Sequence, residues 1–231
     1  MKLVVFDVET DSLFTGDQEH RATQLRHEMQ VTVACAQRCV LHTADASVCS
    51  SPITCWRDNN TSTLGPFEDL FAAFDDADVI VAYNGAAFDM PVMRKYYGTK
   101  NGGVLRHQRH QAKLFDVFSR IRDATGVWMP LDQVLSANGL QTKSSDGVEA
   151  VRMWEQQQRE QLEAYCMRDV ELLQQLVLLD TDIKLPGVMC QLPHWQYSMR
   201  TAASMRMLSA RTVCNITGHG GAGGCSLGGS Q

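Results

Sequence analysis

Four consecutive apolar residues, Val79-Ile80-Val81-Ala82, run into an Asn84-Gly85 turn and then into a helical pattern over residues 88–97. Nothing else in the chain constrains the fold as tightly. A short apolar run without polar alternation reads as a strand buried on both faces, and the turn into a helix makes it part of a strand–helix–strand crossover. Just upstream, residues 66–74 carry apolar side chains at 67, 70, 71 and 74. That is the stripe of an amphipathic helix, with Pro66 suited to its first turn. Further strands are expected at 2–6, 31–36, 53–56 and 112–117, and further helices at 131–138, 147–157 and 159–179. Residues 12–30 read as a loop or lid, and the basic stretch before residue 112 as a loop. Strands first and helices after predict an α/β fold, a mixed β-sheet covered by helices.

The 231 residues suit one generous domain or one domain with appendages. With 44% hydrophobic and 20% charged residues, disordered and fibrous classes are excluded. No apolar run approaches the roughly 20 residues of a membrane span, so no membrane partner is expected. The apolar start meets Asp7 and Glu9 before it can form an export signal, which predicts an intracellular protein. The eight scattered cysteines are then expected to be reduced. Net charge is −5, yet residues 94–122 hold eight Lys/Arg against the single acid Asp116. Phosphate contacts and a solvated surface loop explain that stretch equally well. Residues 218–231 contain seven glycines and no charge, and read as a flexible tail.

Chemistry concentrates in three segments. Asp7 and Glu9 lie two residues apart at the end of the first strand, so both carboxylates project to one face. Such a pair repels itself unless a cation intervenes, and hard oxygen donors suit Mg²⁺ or Mn²⁺. Asp89 opens the helix after the Asn84-Gly85 turn, at a strand end where open α/β sheets place ligands. Tyr165 and Asp169 stand one turn apart on one face of the long helix. Any one of these segments has an ordinary structural explanation. Together they bring four acids and a phenol, and two divalent ions would neutralise the acids and clamp a phosphoryl displacement.

With these motifs in order, the chain resembles the DEDD-type 3′–5′ exonucleases of the ribonuclease-H-like fold. The matching segments are Phe6-Asp7-Val8-Glu9-Thr10, Tyr83-Asn84-Gly85-Ala86-Ala87-Phe88-Asp89 and Tyr165-Cys166-Met167-Arg168-Asp169. The Tyr-x-x-x-Asp form is that of the DEDDy branch, and Ala164 stands where the histidine of the other branch would be. The exonuclease domain of family B DNA polymerases is the most similar subgroup, and Leu140-Gln141-Thr142-Lys143, Gly147 and Trp154 add to the likeness.

The resemblance covers about residues 1–180 and implies a metal-dependent 3′–5′ exonuclease releasing nucleoside 5′-monophosphates from single-stranded 3′ ends. DNA is the favoured strand and RNA the alternative. It implies that Asp7, Glu9, Asp89 and Asp169 hold two Mg²⁺ or Mn²⁺ ions and that Tyr165 orients the attacking water. Thr10 and Asn84 would lie near the terminal nucleotide, Leu13 would wedge against a base, Phe88 would pack beneath the site, and Lys143 would approach a phosphate. Proofreading, DNA repair and RNA trimming all fit this chemistry. The chain departs from the common pattern at Asp11-Ser12-Leu13, and residues 181–217 form an extension of unknown role before the tail.

Other constellations have plainer explanations. Cys35, Cys39 and His42, with Cys49 and Cys55 behind, match no usual zinc spacing. His107-x-x-His110 is expected to meet solvent or phosphate. Arg200, Met205, Arg206, Met207 and Arg211 suggest a packed amphipathic cap. The competing functional readings are an RNase-H-like endonuclease and a catalytically inactive RNase-H-like module that binds nucleic acid or protein.

Overall fold

A computed structural model describes residues 1–15, 18–42, 47–57, 66–98, 100–142 and 147–187, together with Leu192, Trp195 and Met199. The first strand, β1 (Lys2–Thr10), sends successive side chains to opposite faces of the sheet, both of them covered. Leu3 and Val5 enter one hydrophobic core and Val4, Phe6 and Val8 the other. Asp7 and Glu9 therefore share the face of Leu3 and Val5, and both are half-buried. The strand outruns the expected 2–6 because the two acids occupy one face while Val8 keeps the other face apolar.

Antiparallel to β1 runs β2 (Val31–Leu41), whose outer edge pairs with both β3 (Val48–Ser50) and β4 (Thr54–Arg57). On the other side, β5 (Val79–Ala82) pairs with β1 in parallel and β6 (Leu114–Asp116) extends the parallel part. The result is a mixed six-stranded sheet, ordered β3-β2-β1-β5-β6 with β4 also on β2. Parallel neighbours need a long connection, and α2 (Glu68–Asp76) precedes β5 while α3 (Asp89–Met93) and α4 (Asn101–Lys113) link β5 to β6. In this count α1 is the short helix Gln18–Thr23, which continues into a π-type turn, Gln24–Glu28, within the segment expected to be a loop or lid.

Helices cover both faces. Leu70, Phe71 and Phe74 of α2, with Met90, Val92 and Met93 of α3, pack on the Val4–Phe6–Val8 face. Each such side chain, fully buried, contributes about 1.5–3 kcal/mol. The opposite face is covered by α5 (Val117–Thr125), α6 (Leu131–Ala137), α7 (Gly147–Glu155) and the long α8 (Arg159–Val177). Ile183, Leu185, Trp195 and Met199 are buried in this second core, and Ile183 bridges Leu192. The remaining C-terminal residues, including the Gly-rich stretch and the Arg200–Arg211 cluster, lie outside the described residues. No helix among the described residues is long and apolar enough to cross a membrane.

Three expectations need correction. The basic stretch is helix α4, not a loop, and both of its histidines are buried. His110 contacts Tyr97 Oη through Nδ1 and Asp75 through Nε2, each at 2.8 Å, while His107 Nε2 donates to the Met90 carbonyl at 3.0 Å. Cys35 and Cys55 form a disulfide rather than two free thiols. The β2–β4 register sets them directly opposite, with Cα atoms 4.2 Å apart, near the spacing of a close antiparallel pair. That bond also removes two members of the cysteine–histidine cluster from any zinc site.

The buried His110 carries a pH signature. Burial, only partly offset by Asp75, pushes its pKa down to about 4, whereas an unfolded histidine titrates near 6.5. Between these values the unfolded chain binds more protons, so stability is intact above about pH 6.5 and falls as pH drops toward 4. The loss should reach about 2–4 kcal/mol. A His110→Phe variant is expected to lose this slope in thermal melts taken between pH 7 and 4; an unchanged slope would contradict the assignment.

Candidate active site

Because β1 and β5 are parallel, their C-terminal ends lie on the same edge of the sheet, and the turn after β5 faces the last residues of β1. That turn is tightly specified. Asn84 adopts φ +65°, a conformation that asparagine tolerates better than most residues. Its amide donates to Asp116 Oδ1 at 2.9 Å, and the Ala86 amide donates to Asp116 Oδ2 at 3.0 Å. The same carboxylate caps α5, accepting from the Ser119 amide and hydroxyl. At Gly85 an added Cβ would stand 2.5 Å from that of Ala82, so the turn can press onto the strand only without a side chain there.

The turn delivers Asp89 to the first residue of α3. Its Oδ1 accepts a hydrogen bond from the Val8 amide at 3.2 Å, which ties α3 to the backbone between Asp7 and Glu9. Burial pushes the Asp89 carboxyl well above the usual carboxylate range, and the nearby Asp7 and Asp116 charges add to the shift. From the opposite direction α8 crosses the face of β1 that carries Asp7 and Glu9. Tyr165 and Asp169 stand one turn apart on it, both buried. The Cys166 thiol lies 3.5 Å from the Asp7 carbonyl and 3.7 Å from its Oδ2.

One cleft of about 430 Å³ is lined by all of these acids: Asp7, Glu9, Asp89 and Asp169, together with Tyr165. Thr10, Leu13, Asn84 and Phe88 line it as well. Thr10 is buried, its hydroxyl donating to the Ser12 carbonyl at 3.0 Å, whereas Leu13 is exposed on the cleft. Phe88 meets Phe14 edge-on. Lys143 lies outside the described residues.

The donor set fits a hard divalent cation. Ligand atoms of Asp7, Glu9 and Cys166 lie within 4.8 Å of one another. Burial and the carboxylates of Asp7, Glu9 and Asp169 push the Cys166 thiol well up, so it stays protonated and acts as a donor to Asp7 rather than as a thiolate ligand. What is left facing the cleft is carboxylate oxygen, the chemistry of Mg²⁺ and Mn²⁺ sites rather than of thiolate zinc sites.

Sequence reasoning missed three contributors. Asp116 falls in a run whose apolar residues suggest a strand through 117, although Asp-x-x-Ser before an apolar helix is a capping signal. Trp128, in the loop between α5 and α6, lines the cleft and is 68% exposed, its ring edge-on to Phe118. Periodicity gives no sign of a loop residue of this kind. Asp132, in the first turn of α6, is a further acid on the cleft.

Residues 44–179 match the model of the RNase_H superfamily, and the chain belongs to that superfamily. The matched stretch takes in Asp89, Tyr165 and Asp169, and begins after β1. Among solved structures, the family B DNA polymerase from Pyrobaculum calidifontis is similar at a TM-score of 0.51 and 18% identity, over 76% of this chain and 24% of the polymerase. E. coli exonuclease I in complex with a dT13 oligonucleotide is similar at a TM-score of 0.46 and 15% identity, over 78% of this chain and 41% of that one. The chain thus spans about a quarter of the first and two fifths of the second. No curated protein matches it in sequence.

Proposed function

We propose that the chain is a metal-dependent 3′–5′ exonuclease acting on single-stranded nucleic acid, with DNA the favoured strand, and that it releases nucleoside 5′-monophosphates. The observation that carries this reading is the convergence of Asp7, Glu9, Asp89, Asp169 and Tyr165 on one cleft. In a binding module such clustered acids would only repel phosphate. Two Mg²⁺ or Mn²⁺ ions held by the four carboxylates would supply an activated water and neutralise charge on the attacking and leaving oxygens.

The side chains of the protein supply the rest. Tyr165, one turn before Asp169, presents its hydroxyl to the attacking water and fixes its direction. Apolar walls from Leu13, Phe14 and Phe88 accept an unpaired terminal base, which favours single strands over duplex. The Cys166 thiol holds Asp7 in place from behind.

Trp128 gives the reading a consequence for binding. An exposed indole on the cleft offers a face to a neighbouring base, and stacking of this kind is worth about 1–3 kcal/mol per base. Trp128→Ala should therefore weaken the binding of a labelled (dT) oligonucleotide by roughly 5- to 150-fold, read by fluorescence anisotropy in EDTA. Unchanged affinity would remove Trp128 from the path of the strand.

Topology of the substrate tests the proposed function itself. With Mg²⁺ present, linear single-stranded DNA should be consumed while a circular single strand of the same sequence survives. Cleavage of the circle would make the protein an endonuclease, and survival of both with retained binding would make it a binding module.

A further inference from the structure

A second concavity, of about 420 Å³, has the opposite chemistry. Arg26 and His27 of the π-type turn, Arg94 and Lys95 of the 3-10 turn that follows α3, and His107 of α4 all line it. Its described lining includes no carboxylate. Arg26, His27 and Arg94 form no ion pair among the described residues, while Lys95 Nζ donates to the Met29 carbonyl. His107 is buried, its Nε2 donating to the Met90 carbonyl at the floor of the pocket, where its ring reports on what binds above. The first turn of α4 packs so closely on the Tyr97–Gly98 backbone that Gly103 has no room for a Cβ. This contact brings the positive end of a 13-residue helix to the same place. Three crowded cations around a cavity with no acid in its described lining are the signature of a site that an anion completes.

The pocket also adjoins the carboxylate cleft. Asp89 begins α3 and Arg94 follows its last residue, about 8 Å further along the axis at 1.5 Å per residue. Met29, whose carbonyl holds Lys95, lines the carboxylate cleft. We propose that this pocket is a phosphate-binding subsite in which Arg26, Arg94 and Lys95 hold a backbone phosphate of the strand whose 3′ end occupies the carboxylate cleft. The strand as source of the phosphate rests on the proposed function; the anion site does not.

The test uses the full chain in EDTA, so that no hydrolysis intervenes, and an Arg26→Ala/Arg94→Ala variant, both side chains being exposed, whose fold is checked by circular dichroism. In one arm, anisotropy of 5′-labelled (dT)₁₂ is followed across a salt series. The variant should bind about tenfold more weakly at low salt, and its plot of log K against log salt should be shallower by about 1.4, for two lost single-strand phosphate contacts. In the other arm, inorganic phosphate is titrated while the His107 ring resonances are recorded, and these should shift in the wild type and not in the variant. Loss in the strand arm supports the subsite with the backbone as source. Loss confined to the phosphate arm supports the anion site and assigns it to a free phosphate instead. Equal behaviour of variant and wild type in both arms overturns the inference. Hydrolysis by the wild type, measured separately with Mg²⁺, decides the nuclease reading: its absence beside an intact binding difference would leave the subsite standing.

Discussion

Asp7→Asn should lower strand hydrolysis roughly a thousandfold, about 4 kcal/mol of transition-state stabilisation, while leaving the fold intact. The substitution keeps the shape and the hydrogen-bond acceptor that Cys166 uses, and removes only a charge. That charge opposes ionisation of the buried Asp89, so the metal-free variant should melt no lower than the wild type and may be compared with it directly. The two proteins should part on metal addition. Mn²⁺ binding to the folded state alone raises the melting temperature of the wild type by mass action, and the variant should lose most of that rise. Activity within tenfold of the wild type, or an undiminished Mn²⁺ shift, would mean that the cleft acids are not the metal ligands.

The second large effect lies at a residue that touches no substrate. Asp116→Ala removes the acceptor of the Asn84 and Ala86 amides and the cap of α5 in one step. Each part-buried amide left without a partner costs about 1–3 kcal/mol and a lost cap about 1. The expected destabilisation is about 3–7 kcal/mol, a large share of the stability of an ordinary domain. Asp116→Asn, which keeps one acceptor oxygen, should recover about half of it in urea denaturation. Because the same turn aims Asp89, the Asn variant should also lose activity at temperatures where it is fully folded. Equal stability of both variants and the wild type would show that the turn holds itself.

Much of this site is legible in the sequence. Alternation alone set Asp7 and Glu9 on one face of β1, and a helical turn alone set Tyr165 beside Asp169. Both are local rules, and both hold in the structure. What local rules could not reveal is partnership between distant segments. Asp116 makes sense only once β6 lies beside β5, and the Cys35–Cys55 bond needs the β2–β4 register, which no spacing along the chain encodes. Helix α4 was hidden by its composition: its arginines and glycines suggest a loop, yet two histidines and Lys113 direct polar groups to Met90, Tyr97, Asp75 and the end of α2. The exposure of Trp128 is likewise a property of the finished surface.

On the proposed function, these carboxylates remove nucleotides one at a time from a 3′ end. A 5′-labelled single strand, incubated with the protein in Mg²⁺ and in EDTA and resolved by length, tests it most directly. The expected result is a ladder that shortens stepwise from the 3′ end in Mg²⁺ and an intact strand in EDTA. Internal fragments, shortening that persists in EDTA, or a folded protein that leaves the strand whole in Mg²⁺ would contradict it.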